Sequence, residues 1–138
     1  MRETEVAVRP VGWVESPLVD RSEAPKQGDE GAPAAWLVFE AWVREGLADL
    51  RPGDEVIVLT WLDRADRSTL SVHPRGDESA PLTGVFSTRS PARPNPVGLH
   101  PVTILEVDDL RIRVGGLEAL DGTPIVDVKP VLGPVGHR

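Results

Sequence analysis

Residues 84–99 read GVFSTRSPARPNPVGL. The stretch begins as a predicted strand: Val85 and Phe86 are apolar, Thr83, Ser87 and Thr88 suit extended backbone, and Gly84 permits close approach. Pro91, Pro94 and Pro96 then fall within six positions. Each proline fixes φ, removes a backbone donor and pushes the preceding residue out of the helical region. The segment can be neither helix nor central strand, yet apolar runs flank it. It reads as a stiff loop between two core strands, carrying Arg89, Ser90, Arg93 and Asn95. Such a loop loses little entropy when a ligand arrives, which suits a site.

Outward from this loop the pattern is that of strands. Residues 55–62, EVIVLTWL, form the most continuous apolar run and predict the central strand. Residues 98–107 and 110–114 predict a hairpin around Asp108-Asp109, and 125–128 a last strand after the turn Asp121-Gly122-Thr123-Pro124. Earlier, 6–14 predicts a first strand interrupted by Pro10, 35–43 a second, 45–50 one helical turn, and 69–72 a short strand. Between 15 and 33 the chain is polar and punctuated by Pro17, Pro25, Gly28, Gly31 and Pro33, a long loop of the functional or disordered kind. With 13 glycines, 14 prolines and no long helix, the expectation is an all-β, small closed or nearly closed β-barrel of about 6–7 strands, not a doubly wound α/β fold.

The chain of 138 residues, 40% hydrophobic, suits a single domain over 1–138. The absence of cysteine excludes disulfides, zinc thiolates and thiol nucleophiles. No run is long enough to span a membrane and no signal peptide is recognisable, so the expected location is the cytoplasm. A formal charge of −7 disfavours non-specific adhesion to nucleic acid or anionic lipid, although Arg64, Arg67, Arg75, Arg89 and Arg93 gather in the middle third.

His73, His100 and His137 share no metal-ligand spacing, so no metal is expected. Neither a nucleophile elbow nor a phosphate-cradling glycine loop is present. Arg89 and Arg93 offer planar donor forks suited to carboxylate or phosphate, against a reading as solvated charges. Asn95, between two prolines, is a turn-former or a substrate contact. Asp127 and Lys129 share one face of the last strand, as an exposed ion pair or as a polar wall of a cleft. Asp121 is by default a turn residue. Trp13, Trp36, Trp42 and Trp61 read as core and rim packing, with one available to stack on a purine.

The run GVFSTRSPARPNPVGL resembles the signature of the TsaA-like, or TrmO, family of S-adenosylmethionine-dependent methyltransferases. Ala24-Pro25-Lys26-Gln27 stands where that family has Pro-Arg-Gln, and residues 116–130, GLEALDGTPIVDVKP, resemble its Gly-Leu-Asp to Asp-Gly-Thr-Pro segment. The resemblance spans most of the chain. It implies a β-barrel homodimer that N6-methylates threonylcarbamoyladenosine next to the anticodon of tRNA. It also implies S-adenosyl-L-methionine contacts at Pro25, Lys26, Gln27, Asp63, Arg64, Arg89, Leu99, Leu117, Glu118, Leu120 and Asp121. Arg93, Asn95 and Lys129 are candidates to bind the acceptor. Asn95, Asp121 and Asp127 are candidates for the chemistry, with Asp121, Asp127 or the substrate itself taking the proton. The chemistry of the donor agrees: its carboxylate needs a cation, from Arg89 or Lys26, and its positive groups need a carboxylate, from Glu118 or Asp121. Methyl transfer itself rests on positioning. Lys26 departs from the family arginine, Asp63 stands where relatives often have histidine, Glu118 replaces aspartate, and Val131 replaces an aromatic. The expected organisation is a single such domain without the C-terminal extension that some relatives use on tRNA. Two other readings are a methyltransferase acting on a small metabolite and a non-enzymatic module that binds S-adenosylmethionine or a nucleotide.

Overall fold

The computed structural model describes residues 4–18 and 34–133. The expected Pro25, Lys26 and Gln27 contacts lie outside them. The strands are β1 (Gly12–Glu15), β2 (Ala35–Phe39), β3 (Glu55–Trp61), β4 (Ser71–Val72), β5 (Thr83–Gly84), β6 (Val97–Asp108), β7 (Arg111–Gly115) and β8 (Pro124–Pro130). Six of them close a ring of hydrogen bonds in the order β1-β2-β7-β6-β3-β8, and β4 and β5 form a separate ribbon. The all-β expectation holds. Every pairing in the ring is antiparallel.

Strict alternation explains the ring. Val56, Val58 and Thr60 of β3 and Gly98, His100, Val102 and Ile104 of β6 point inward, as do Ala35, Leu37 and Phe39 of β2. Val56, Val58, Val102, Ile104, Ala35, Leu37 and Phe39 join Val14, Ile112, Val114 and Ile125 in one buried core. At about 25 cal/mol per Å² of apolar surface, this interior is the main source of stability. The run 55–62 contains β3, which pairs with β6 and with β8, although in a closed ring every strand has two neighbours and none is central. A bulge where Leu59 and Thr60 face Asp127 and Ile125 leaves Val126 as the extra residue.

Four local expectations are corrected. The first strand begins at Gly12 and not at Val6, which is 86% exposed, because Pro10 interrupts the donor row before the pairings with β2 and β8 begin. The run 35–43 ends as a strand at Phe39 and turns into a 3-10 helix, Ala41–Leu47. There the apolar spacing changes from two to four, so that Val43 and Leu47 both reach the core. The helical turn expected at 45–50 therefore starts earlier. Val85 and Phe86 are not in a strand but in a 3-10 turn, Val85–Ser87, which buries Val85 and leaves Phe86 81% exposed. Nor are the tryptophans core residues. Arg9 lies over Trp42, Arg67 over Trp61 and Arg111 over Trp36, and the Trp13 Nε1–H donates to Glu40.

The order of strands determines where the connections lie. With all six antiparallel, β1, β3 and β7 run one way and β2, β6 and β8 the other. The connections β1–β2, β3–β6 and β7–β8 consequently leave the ring in the same direction. These are the connections that hold the three motif segments.

Candidate site at one rim of the ring

The segment 116–123 is the hub of this rim. It is bounded by Gly116 at φ +90° and Gly122 at φ +81°, a backbone region that side chains disfavour. Between them Leu117 is fully buried and Ala119 nearly so, which anchors the segment in the core. The alternation leaves Glu118 at the rim. Its Oε1 lies 2.5 Å from His100 Nδ1, and His100 Nε2 lies 2.7 Å from Thr60 Oγ1. The His100 and Glu118 side chains are 5% and 18% exposed. Glu118 Oε2 is buried and has no hydrogen-bond partner among the described residues.

The Asp121 turn ties this hub to the first motif segment. Ser16 N–H donates to Asp121 Oδ1 at 3.0 Å, and Asp121 N–H donates to Leu18 O at 2.6 Å. Gly122 N–H and Val14 N–H continue the contact to Val14 O and Thr123 O. The root of the 15–33 segment is thereby fastened to Asp121.

The proline-rich loop enters β6 just before His100, and Leu62 N–H donates to Pro96 O at 2.8 Å. Arg93 holds this loop together. Its guanidinium donates to the carbonyls of Val85 (2.6 Å), Ser90 (3.0 Å) and Thr88 (3.1 Å), while its own N–H donates to Asp66 O. Expected for the acceptor, Arg93 has its guanidinium on its own backbone. Arg93→Ala should cost about 1.5–3 kcal/mol, the scale for charge-assisted bonds, and Arg93→Lys should restore only part because a point charge cannot reproduce the fork. Urea denaturation reads the loss, and an unchanged midpoint would refute this role.

Asn95 is similarly engaged: its Oδ1 accepts from Arg67 Nη2 at 3.0 Å, and Arg67 Nε donates to Pro94 O at 2.7 Å. Arg89 is exposed and forms no hydrogen bond or ion pair among the described residues. Asp63 and Arg64 are exposed just beyond β3, where Asp63 N–H donates to Trp61 O. The Ser68 hydroxyl and N–H hold the Asp66 carboxyl below the usual carboxylate range.

Not all the candidates share one place. Leu99 is in register with Leu59, which also faces Asp127, so these three form a row on the outer side of the sheet. Asp127 Oδ2 pairs with Lys129 Nζ at 3.3 Å, and both side chains are about half exposed or more, so the bond contributes little. Glu118, Leu120 and Asp121 belong to the rim, and Leu117 reaches it through its backbone only, its side chain being a core plug.

Thr60 and His100 were missed. His100 was read only for metal spacing, which it lacks. The available signal was the period of two: both residues stand at inward positions of otherwise apolar strands, where a polar side chain requires a partner.

A ring of antiparallel strands, with the root of the first loop, the 116–123 segment and an acidic–imidazole relay at one rim, defines a small all-β fold distinct from the doubly wound nucleotide binders. The family model for the tRNA-methyltransferase O N-terminal domain matches residues 13–135, and the chain belongs to that family. It is 44% identical over 130 residues to a probable S-adenosyl-L-methionine-binding protein of Methanothermobacter thermautotrophicus, covering 94% of this chain and 93% of that one. It is 42% identical over 123 residues to an S-adenosyl-L-methionine-binding protein of Archaeoglobus fulgidus, covering 88% and 86%. Among solved structures, TrmO from Pseudomonas aeruginosa superposes with a TM-score of 0.75 at 26% identity, over 96% of this chain and 58% of that chain. The chain thus spans a little under three-fifths of that solved TrmO.

Proposed function

We propose that this chain is an S-adenosyl-L-methionine-dependent methyltransferase whose acceptor is N6 of threonylcarbamoyladenosine beside the anticodon of tRNA. Methyltransferase class and cofactor follow from the family and from the relatives named for binding that compound. The observation that carries the reading is the convergence at one rim: Asp121 holds the root of the first motif segment, and Glu118 reaches the strand that the arginine loop enters.

The residues present fit the cofactor. Glu118 keeps one buried carboxylate oxygen without a partner among the described residues, which suits an N–H or O–H donor close to positive charge. Arg89, with no hydrogen bond or ion pair among the described residues, offers its fork for the α-carboxylate. On this reading Leu120, Asp121, Asp63, Arg64 and, from the outer row, Leu99 are the described cofactor contacts, while Pro25, Lys26 and Gln27 are assigned by the family resemblance alone. When bound, the cofactor supplies an electrophilic methyl group on a sulfonium sulfur. The chain's contribution is positioning: a loop stiffened by prolines and by Arg93 presents its arginine without reorganising. Asp121, Asp127 or the substrate itself takes the acceptor's proton, and Asn95 and Lys129 remain candidates for the acceptor side.

Two features support an RNA acceptor on an acidic chain. The connection 62–96 carries five arginines against four carboxylates, within a chain of charge −7, so this connection repels phosphate less than the chain as a whole. Phe86 on the same connection is 81% exposed, and an exposed aromatic ring suits stacking on an unpaired base. Exposed Val97, Leu99 and Leu105 on the outer face of β6 suit a homodimer, and a tRNA acceptor is consistent with the cytoplasm.

Calorimetry with S-adenosylmethionine and methylation of tRNA by the purified protein test the proposal. Arg89→Ala should weaken cofactor binding by about 1.5–3 kcal/mol; an unchanged dissociation constant removes Arg89 from the site. Tight cofactor binding with no methylation of any tRNA would sink the acceptor and favour a small-metabolite acceptor or a non-enzymatic binding module.

A further inference from the structure

We propose that Thr60 and His100 are positioning residues for Glu118: the buried imidazole fixes one carboxylate oxygen so that the other takes a hydrogen-bond donor of the bound cofactor. This rests on the cofactor reading above.

Three observations carry it. First, both imidazole nitrogens are engaged, at 2.7 Å to Thr60 Oγ1 and 2.5 Å to Glu118 Oε1, and the His100 side chain is 5% exposed. An ionised carboxylate only accepts; toward such a group Nδ1 carries the proton, and Nε2 then faces the hydroxyl. With neither nitrogen free, His100 acts on a ligand only through Glu118.

Second, Glu118 Oε2 is buried and unpartnered among the described residues. Buried polar atoms are nearly always paired, and a charged one left unpaired is costly. A donor arriving with the ligand removes that cost, whereas water around an exposed carboxylate would leave nothing to gain.

Third, the backbone is cut to fit the relay. A Cβ on Gly98 would lie 2.3 Å from Thr60 Oγ1 and 2.6 Å from His100 Nε2. Thr60 and Gly98 are direct cross-strand partners, so the missing side chain makes the room in which the hydroxyl and the imidazole meet. A histidine serving only to fill the core would need neither the hydroxyl nor this gap.

Calorimetric titration with S-adenosylmethionine and S-adenosylhomocysteine is the first test, on the wild type, Glu118→Gln, His100→Ala and the double variant. Glu118→Gln is expected to lose roughly tenfold or more in affinity, the scale of a charge-assisted bond. His100→Ala should lose a comparable factor, and the double variant should lose no more than the worse single one, since the two act as a unit. Methylthioadenosine, which keeps the ribose hydroxyls and lacks the amino-acid part, locates the donor. If Glu118→Gln weakens it too, the donor is a hydroxyl; if it weakens only the full cofactor, the donor is the ammonium.

A second readout is independent of affinity. The His100 Nδ1 proton, buried and held against a carboxylate, should be protected from exchange, resonate downfield of the amide protons and shift as S-adenosylmethionine is added, because a donor on Oε2 makes Oε1 a weaker acceptor. Should His100→Ala not fold, Thr60→Val, which keeps the volume and removes the hydroxyl, replaces it and should cost several-fold in affinity. The proposal is overturned if Glu118→Gln weakens binding while His100→Ala or Thr60→Val binds within about twofold of wild type. It is equally overturned if the downfield resonance stays put at saturation. A wild-type protein that binds neither compound overturns the cofactor reading itself, a result separable from both.

Discussion

Gly98→Ala should destabilise the fold by about 1–3 kcal/mol, the range for forcing a methyl group into a filled interior. It should also disrupt the Thr60–His100 hydrogen bond. The added carbon would stand 2.3 Å from Thr60 Oγ1 and 2.6 Å from His100 Nε2, far inside van der Waals contact. Both side chains are buried, so neither swings into solvent. Rotating the threonine hydroxyl away breaks the bond; displacing the imidazole pulls on Glu118. Denaturation midpoints report the packing cost, and cofactor titration reports the loss of alignment. Because the collision is with these two groups, combining Gly98→Ala with Thr60→Ala should cost less than the separate effects together. A Gly98→Ala protein with wild-type stability and affinity would show that the rim repacks freely, contrary to the close packing of such interiors.

Leu117→Ala is expected to cost about 2–5 kcal/mol, the range for truncating a fully buried leucine. Leu117 has no exposed surface and sits in the core cluster with Val114, Ala119 and Ile125. It anchors the 116–123 segment, in which Glu118 and Asp121 follow as the rim groups. Truncation should therefore lower cofactor affinity as well as stability, although the side chain itself has no surface to offer a ligand. Leu117→Met, close in volume, should keep most of both. A stable Leu117→Ala protein would remove the plug from the account of how the rim is held.

Much of this arrangement was legible in the linear chain. Period-two alternation in 55–62 and 98–114, turn residues between short apolar runs, and three prolines in six positions are local signals. They sufficed for an all-β ring and for a rigid arginine-bearing loop. They failed where an apolar run outlasts its strand, as at Trp42 and Val43, because hydrophobicity alone does not say when the period changes. They failed again at Val85 and Phe86, where neighbouring apolar residues have opposite burial in a turn.

The amino-acid order by itself determined which residues are stiff, which alternate and which are charged, since backbone sterics and side-chain spacing act over a few positions. Only the folded ring decided that Arg93 grips its own loop rather than a ligand. It alone brought Thr60, His100 and Glu118, 40 and 18 residues apart in sequence, within hydrogen-bond reach of one another. The reason is physical: a donor and an acceptor recognise each other across a strand register, and register is a property of the closed sheet, not of any segment within it.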